Sequence, residues 1–161
     1  LSIRRQRQMC IRDRFKAMHH TAISTPDLDR LVRFYCELFD FEVTMDWSWE
    51  KGNVNMDRTH ALSDTSGRVV MIERDGARLE LFQYETPSPS PADPGRRNVD
   101  HGISHLCFEF QDIDAEFQRL RSAGMRFHSE PADYGVTKCT YGRDPDGNLI
   151  EIIEYLDSAG G

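Results

Sequence analysis

Much of this chain is written twice, and that limits what it can fold into. His20 precedes Asp27-Leu28-Asp29 by seven residues, and His105 precedes Asp112-Ile113-Asp114 by the same seven, so these positions recur at an offset of 85. A second echo follows in the same order. Asp75-Gly76 and Asp146-Gly147 each lead to a glutamate (Glu80, Glu151) four residues after the glycine and four before a tyrosine (Tyr84, Tyr155). Two independent echoes in one order make a duplicated unit the simplest account. The period is too long for a solenoid and only two copies exist, so the chain is expected to pair two similar modules.

Each unit reads as strand, helix, then further strands. Ile103 to Phe110 alternates with period two, placing Leu106, Phe108 and Phe110 on one face and His105 with Cys107 and Glu109 on the other. Asp112 is a natural N-cap, because its carboxylate can accept from a free backbone N–H. Ile113, Phe117 and Leu120 then form an apolar stripe that Gly124 ends. In the first unit Asp27 caps, and Leu28, Leu31, Val32, Tyr35 and Leu38 form the stripe. Asp75-Gly76 and Asp146-Gly147 are hairpin-turn dipeptides leading into each unit's last strand. Residues 85–99, rich in proline and polar groups, read as the linker. Residues 42–66 have no counterpart of equal length in the second unit. They read as a long hairpin with an irregular excursion, or else as a substrate rim shaped by Trp47, Trp49, Asn53 and Asn55.

With 161 residues, 39% hydrophobic and 29% charged, the chain suits one soluble domain and not a disordered or fibrous one. No apolar run approaches the ~20 residues of a membrane span. A net charge of −7 argues against a nucleic-acid partner. Residues 1–14 stand apart, with five arginines against one aspartate. Arg4 to Arg14 (RRQRQMCIRDR) looks like the translation of a sequencing adapter, so this segment, Cys10 included, is set aside as non-native. No apolar stretch of a signal peptide follows it. The other cysteines, Cys36, Cys107 and Cys139, show no CxxC spacing and read as packing residues of a reducing, cytoplasmic compartment. Residues 158–161 read as a frayed tail.

The duplication singles out His20, Glu80, His105 and Glu151 as paired positions. Glu80 lies between Leu79 and Leu81, and Glu151 between Ile150 and Ile152, so each points away from its apolar neighbours. A carboxylate in such a strand is costly unless paired or bound to a cation. Alone, a strand histidine is more often a hydrogen-bonded core residue, and a strand glutamate more often solvated. Symmetry alters that balance, because a two-fold repeat brings equivalent positions together around its axis. Two imidazoles and two carboxylates would then suit Zn, Ni, Co, Mn or Fe. His19 is the nearest rival to His20, but it points to the opposite face, and the seven-residue spacing to Asp27 selects His20.

The segments HTAISTPDLDRLVRFYCELFDFEV (20–43), RLELF (78–82), ISHLCFEFQDIDAEFQRLRSAGMRF (103–127) and DPDGNLIEIIE (144–154) resemble the vicinal oxygen chelate superfamily. That superfamily includes glyoxalase I, methylmalonyl-CoA epimerase, extradiol dioxygenases and antibiotic-resistance proteins. The resemblance implies an α+β fold in which two βαβββ modules pair into a cup-shaped mixed sheet, the glyoxalase/bleomycin resistance/dioxygenase fold. It implies one domain over residues 15–157, with module one at 15–86 and module two at 100–157. It also implies metal ligands at His20, Glu80, His105 and Glu151, a homodimer and a small-molecule substrate. Glu80 and Glu151 would carry the acid–base catalysis of a glyoxalase I-like lyase or isomerase, in which a chelated substrate loses a proton next to its carbonyl.

Within the superfamily the ligand set discriminates. Ring-cleaving dioxygenases resemble the chain at His20, His105 and Glu151 but use no carboxylate at the position of Glu80. Methylmalonyl-CoA epimerases typically carry Gln there. Glutathione-using members carry Arg four residues after the first histidine, where this chain has Ser24. Epimerase-like activity, dioxygenase activity and non-catalytic binding of a small molecule are the alternatives. Substrate, metal, and whether the ligands come from one chain or two stay open at this level.

Overall fold

A computed structural model describes residues 15–156. Segment 1–14 and tail 158–161 lie outside the described residues. The first half runs β1 (Thr21–Ser24), α1 (Leu28–Phe39), β2 (Glu42–Trp49), α2 (Val54–His60), β3 (Ser66–Arg74) and β4 (Ala77–Thr86). The second runs β5 (His105–Glu109), α3 (Ile113–Ser122), β6 (Arg126–Phe127), β7 (Ala132–Asp133), β8 (Thr137–Arg143) and β9 (Leu149–Tyr155). The chain is α+β, with two mixed sheets of the same plan. One is ordered β1-β4-β3-β2 and the other β5-β9-β8-β6, with β7 added beside β8. In each, the opening strand lies parallel to the closing one, β1 on β4 and β5 on β9, and the other pairings are antiparallel.

The helices form where the periodicity places them. Asp27 accepts from the Arg30 N–H at 3.1 Å, and Leu28, Leu31, Tyr35 and Leu38 of α1 are buried. Asp112 accepts from the Ala115 N–H at 3.3 Å, and Ile113, Phe117 and Leu120 of α3 are buried. The end of α1 differs from the glycine stop of the second unit. Asp40 takes the left-handed conformation itself, at φ 53°, and its N–H reaches the Tyr35 carbonyl.

Both helices pack on one face of their own sheet, through Val70, Ile72, Leu79 and Leu81 in the first and Ile150 and Ile152 in the second, and the two layers merge into one core. Phe39 meets Phe108 with ring centroids 4.8 Å apart, and Arg119 Nη2 donates to the Leu38 carbonyl at 2.7 Å. Burying each such aliphatic side chain stabilises the fold by roughly 1.5–3 kcal/mol. The shared core therefore uses up the helix-side face of each sheet and leaves the opposite face for chemistry.

The two Asp-Gly turns are not alike. Asp75 (φ 48°) and Gly76 (φ 85°) form the two-residue turn, both in the positive region that a type I′ hairpin requires. Between β8 and β9 the connection is longer, and Asp144 organises it by accepting from the backbone N–H of Asp146 and of Asn148. No described helix is long and apolar enough to cross a membrane.

Candidate functional site

The register sets what stands on the open face of the first sheet. Glu80 is level with Ala22 on β1 and Met71 on β3, and it alternates with the buried Leu79 and Leu81. His20 stands one residue ahead of β1, a small departure from its expected place within the strand. Its Nε2 lies 3.1 Å from Glu80 Oε2. The equivalent pair recurs on the second sheet, where His105 opens β5 and its Nε2 lies 3.0 Å from Glu151 Oε2. The carboxylates are the more enclosed partners, 20% and 12% exposed.

The other ring nitrogens are held too. His105 Nδ1 lies 2.8 Å from Ser104 Oγ, and His20 Nδ1 lies 2.8 Å from His19 Nδ1. A partner on Nδ1 fixes the ring and aims Nε2, as it does for imidazoles that ligate metals. His19 thus serves as a neighbour that orients His20.

The surroundings of the two glutamates differ. Glu151 is level with Cys107 on β5 and Tyr141 on β8. Burial, then the nearby Glu151 carboxylate, pushes both the Cys107 thiol and the Tyr141 phenol up to about 12. Both therefore stay neutral beside that carboxylate at ordinary pH. The Tyr141 ring also stands edge-on to His105, 5.3 Å between centroids. Glu80 has the apolar neighbours Ala22 and Met71 instead.

The donor set fits a divalent ion. Neutral imidazole nitrogen beside carboxylate oxygen is what Zn, Ni, Co, Mn and Fe accept. Bonds of about 2.1 Å put adjacent ligands on an octahedral ion about 3 Å apart, the separation seen in both pairs. A single chain does not bring all four residues together. Among the described residues no group of three or more His, Cys, Asp or Glu side chains is placed to hold a metal ion. His20 joins Glu80 and His105 joins Glu151, as two separate pairs.

Residues 42–66 form more than a hairpin with an irregular excursion, since they contain helix α2. Asn53 caps α2 by accepting from the Met56 N–H at 3.2 Å, and the Asn55 backbone carbonyl takes the Thr59 hydroxyl at 2.8 Å. The tryptophans are placed differently. Trp47 is level with Val69 and Phe82, and Trp49 with Gly67 and Tyr84, so both share the face of Glu80. Trp47 stacks on Trp49 at 5.7 Å, Trp49 stands edge-on to Tyr84 at 5.4 Å, and the Tyr84 hydroxyl lies 2.7 Å from His60 Nδ1. This aromatic wall continues the open face beyond Glu80, whose charge adds to burial in raising the Tyr84 phenol. His60 was missed in the sequence, since α2 has no repeat mate. Phe82 and Tyr84 had a signal, since they follow Glu80 at the strand period.

Comparison with known proteins gives the family and bears out the fold. The profile of the Glyoxalase/Bleomycin resistance protein/Dioxygenase superfamily matches residues 17–152. The chain belongs to this superfamily. A protein of Actinomyces named 2-epi-5-epi-valiolone epimerase is 32% identical over 152 residues, covering 85% of this chain and 78% of that protein. The lactoylglutathione lyase of Schizosaccharomyces pombe is 27% identical over 149 residues, covering 88% of this chain, and the chain spans only 48% of its length. Among solved structures, a glyoxalase family protein from Bacillus cereus superposes with a TM-score of 0.78 at 24% identity, covering 89% of this chain and 97% of that one. That likeness bears on the fold.

Proposed function

We propose that this superfamily member is a metal-dependent lyase or isomerase of the glyoxalase type, moving a proton next to the carbonyl of a small molecule. One observation carries the reading: the same His–Glu pair, 3.1 Å in one module and 3.0 Å in the other, stands on the open face of both sheets. A homodimer would complete the set, with His20 and Glu80 of one protomer meeting the partner's His105 and Glu151. A divalent ion on these four residues would stabilise negative charge developing on the substrate oxygen.

The residues of the chain supply the proton handling. One carboxylate, Glu80 or Glu151, takes the proton from the carbon next to the carbonyl, and the other returns one. His20 and His105 hold these carboxylates in place. Trp49, Phe82 and Tyr84 keep water from the Glu80 side. Two carboxylates from opposite sheets suit inversion of a stereocentre as well as transfer of the proton to a neighbouring carbon. Similarity to a protein named as an epimerase favours keeping epimerisation within the reading. Cys36, Cys107 and Cys139 are unpaired, which supports a cytoplasmic site of action.

The test is metal content with solvent-proton exchange. The expected result is about one divalent ion per chain, lost in His105→Ala, and deuterium uptake next to the carbonyl of hydroxy-acid or acyl-thioester substrates. Glu151→Gln should slow that uptake by about 10²–10⁴-fold. Full exchange in Glu151→Gln would sink the mechanism.

A further inference from the structure

The linker is seated, not slack. A Cβ on Gly147 would come within 2.7 Å of Pro94 Cα and 2.8 Å of the Pro94 carbonyl oxygen, so only glycine lets the linker lie on the 144–148 loop. Gly102, at φ 119°, adjoins the Arg96 guanidinium, and a Cβ there would come within 2.9 Å of Arg96 Nη2. The linker thereby walls a cavity of about 290 Å³ where β1 and β5, the edge strands of the two sheets, come together. Ser24, Asp93, Arg96, His105, Arg143 and Asp146 are among its lining residues.

Both arginines are anchored on neutral carbonyls. Arg143 donates through Nη1 to the Gly147 carbonyl at 2.6 Å and through Nη2 to the Arg96 carbonyl at 2.8 Å. Arg96 Nη2 donates to the carbonyls of Asp100 and His101, at 3.3 and 2.9 Å. These bonds fix the guanidinium planes without cancelling their charge, and among the described residues neither arginine is ion-paired. Three carboxylates lie nearby: Arg96 adds to Arg97 in holding the Asp100 carboxyl below its usual range, and Asp146 keeps one buried oxygen, Oδ2, without a hydrogen-bond partner. Asp146 is paired with Arg30, Asp100 with Arg97, and Asp93 accepts from the Gly95 N–H. Each guanidinium has five N–H donors, so each keeps several for a further acceptor.

We propose that this cavity binds an oxyanion, the carboxylate or phosphate group of a small molecule, on Arg96 and Arg143 beside His105. Oriented guanidinium groups that make no ion pair of their own are suited to paired hydrogen bonds with such a group. The inference deepens the proposed reaction by giving its substrate an anionic arm, and that part rests on the reading above. The binding itself needs no metal.

The test titrates the full chain with inorganic phosphate and, separately, with lactate, following the arginine Nε–H resonances by NMR. The expected result is saturable movement of the Arg96 and Arg143 signals, with affinity about tenfold or more lower in Arg96→Gln and in Arg143→Gln, the loss of one charge-assisted contact. Arg33→Gln, on the exposed side of α1, should bind as the parent does. Should Arg143→Gln fail to fold, Arg96→Gln decides, because its bonds are only to linker and adjoining carbonyls. Tighter phosphate binding identifies a phosphate monoester, and tighter lactate binding a carboxylate. Absence of saturation with either anion, or equal affinity in Arg96→Gln and the parent, overturns the proposal. Anion binding in protein that holds no metal and exchanges no proton would leave this inference standing and remove the proton-transfer reading, whereas the reverse pattern would remove only this one.

Discussion

Asp144 is 1% exposed and accepts four hydrogen bonds, from the N–H groups of Asp146 and Asn148, the Asn148 side-chain amide and the Tyr35 hydroxyl. Its burial outweighs those bonds and holds its carboxyl above the usual range. In the unfolded chain it titrates near pH ~3.9. Below that value the group is neutral in both states and costs nothing. As pH rises through the interval up to the raised folded value, the unfolded state releases its proton first, so stability falls. Urea unfolding at pH 4 and pH 7 should therefore show Asp144→Asn gaining stability relative to the parent protein across that range. A parent protein that gained stability relative to Asp144→Asn over the same range would contradict the assignment. The sequence marked Asp146-Gly147 as a turn, but the organiser of that loop is Asp144, two residues earlier. Side-chain acceptance from two backbone N–H groups leaves no periodic trace. The His20–Glu80 and His105–Glu151 pairs could be looked for from the sequence because the duplication, not chemistry alone, marked those four positions.

At the scale of elements, α1, α3 and the closing strands were legible because each buries an apolar stripe or alternation. α2 was not, since none of its residues is buried and it has no apolar face to detect. Side-chain bonds hold it instead. Asp57 accepts from the backbone N–H groups of Asp64 and Thr65 and from the Thr65 hydroxyl, and Thr65 Oγ1 accepts from Trp49 Nε1 at 3.0 Å. Thr65 is fully buried and Trp49 nearly so, which makes this hydroxyl the join between the excursion and the aromatic wall. Gly67 belongs to the same join, because a Cβ there would fall 2.4 Å from the Gln83 carbonyl and 2.8 Å from the Trp49 ring. Thr65→Val keeps the shape and removes the acceptor, leaving a buried indole N–H unpaired. It should cost about 1–3 kcal/mol in urea unfolding and change tryptophan emission. Unchanged stability and emission would show that the wall stands without this bond.

At the scale of the whole molecule, the two His–Glu pairs pose a question that the duplication could not answer from sequence. Repeat symmetry makes His20 and Glu80 equivalent to His105 and Glu151, but it does not say whether equivalent positions meet within a chain or between chains. In a single chain the helix-side faces of both sheets are joined through α1, α3 and the Phe39–Phe108 contact, and the faces that carry the two pairs lie outside that core. Mixing two inactive variants can test the dimer. One carries His20→Ala with Glu80→Ala, and the other His105→Ala with Glu151→Ala. In a two-fold dimer with shared sites, a mixed pair has one site built from the two intact halves and one from the two damaged halves. After dissociation and reassociation about half of the dimers are mixed, so about a quarter of the parent metal content and proton exchange should return. Were all four ligands to come from one chain, every chain in the mixture would lack half of its ligands, and no amount of mixing would restore metal or exchange.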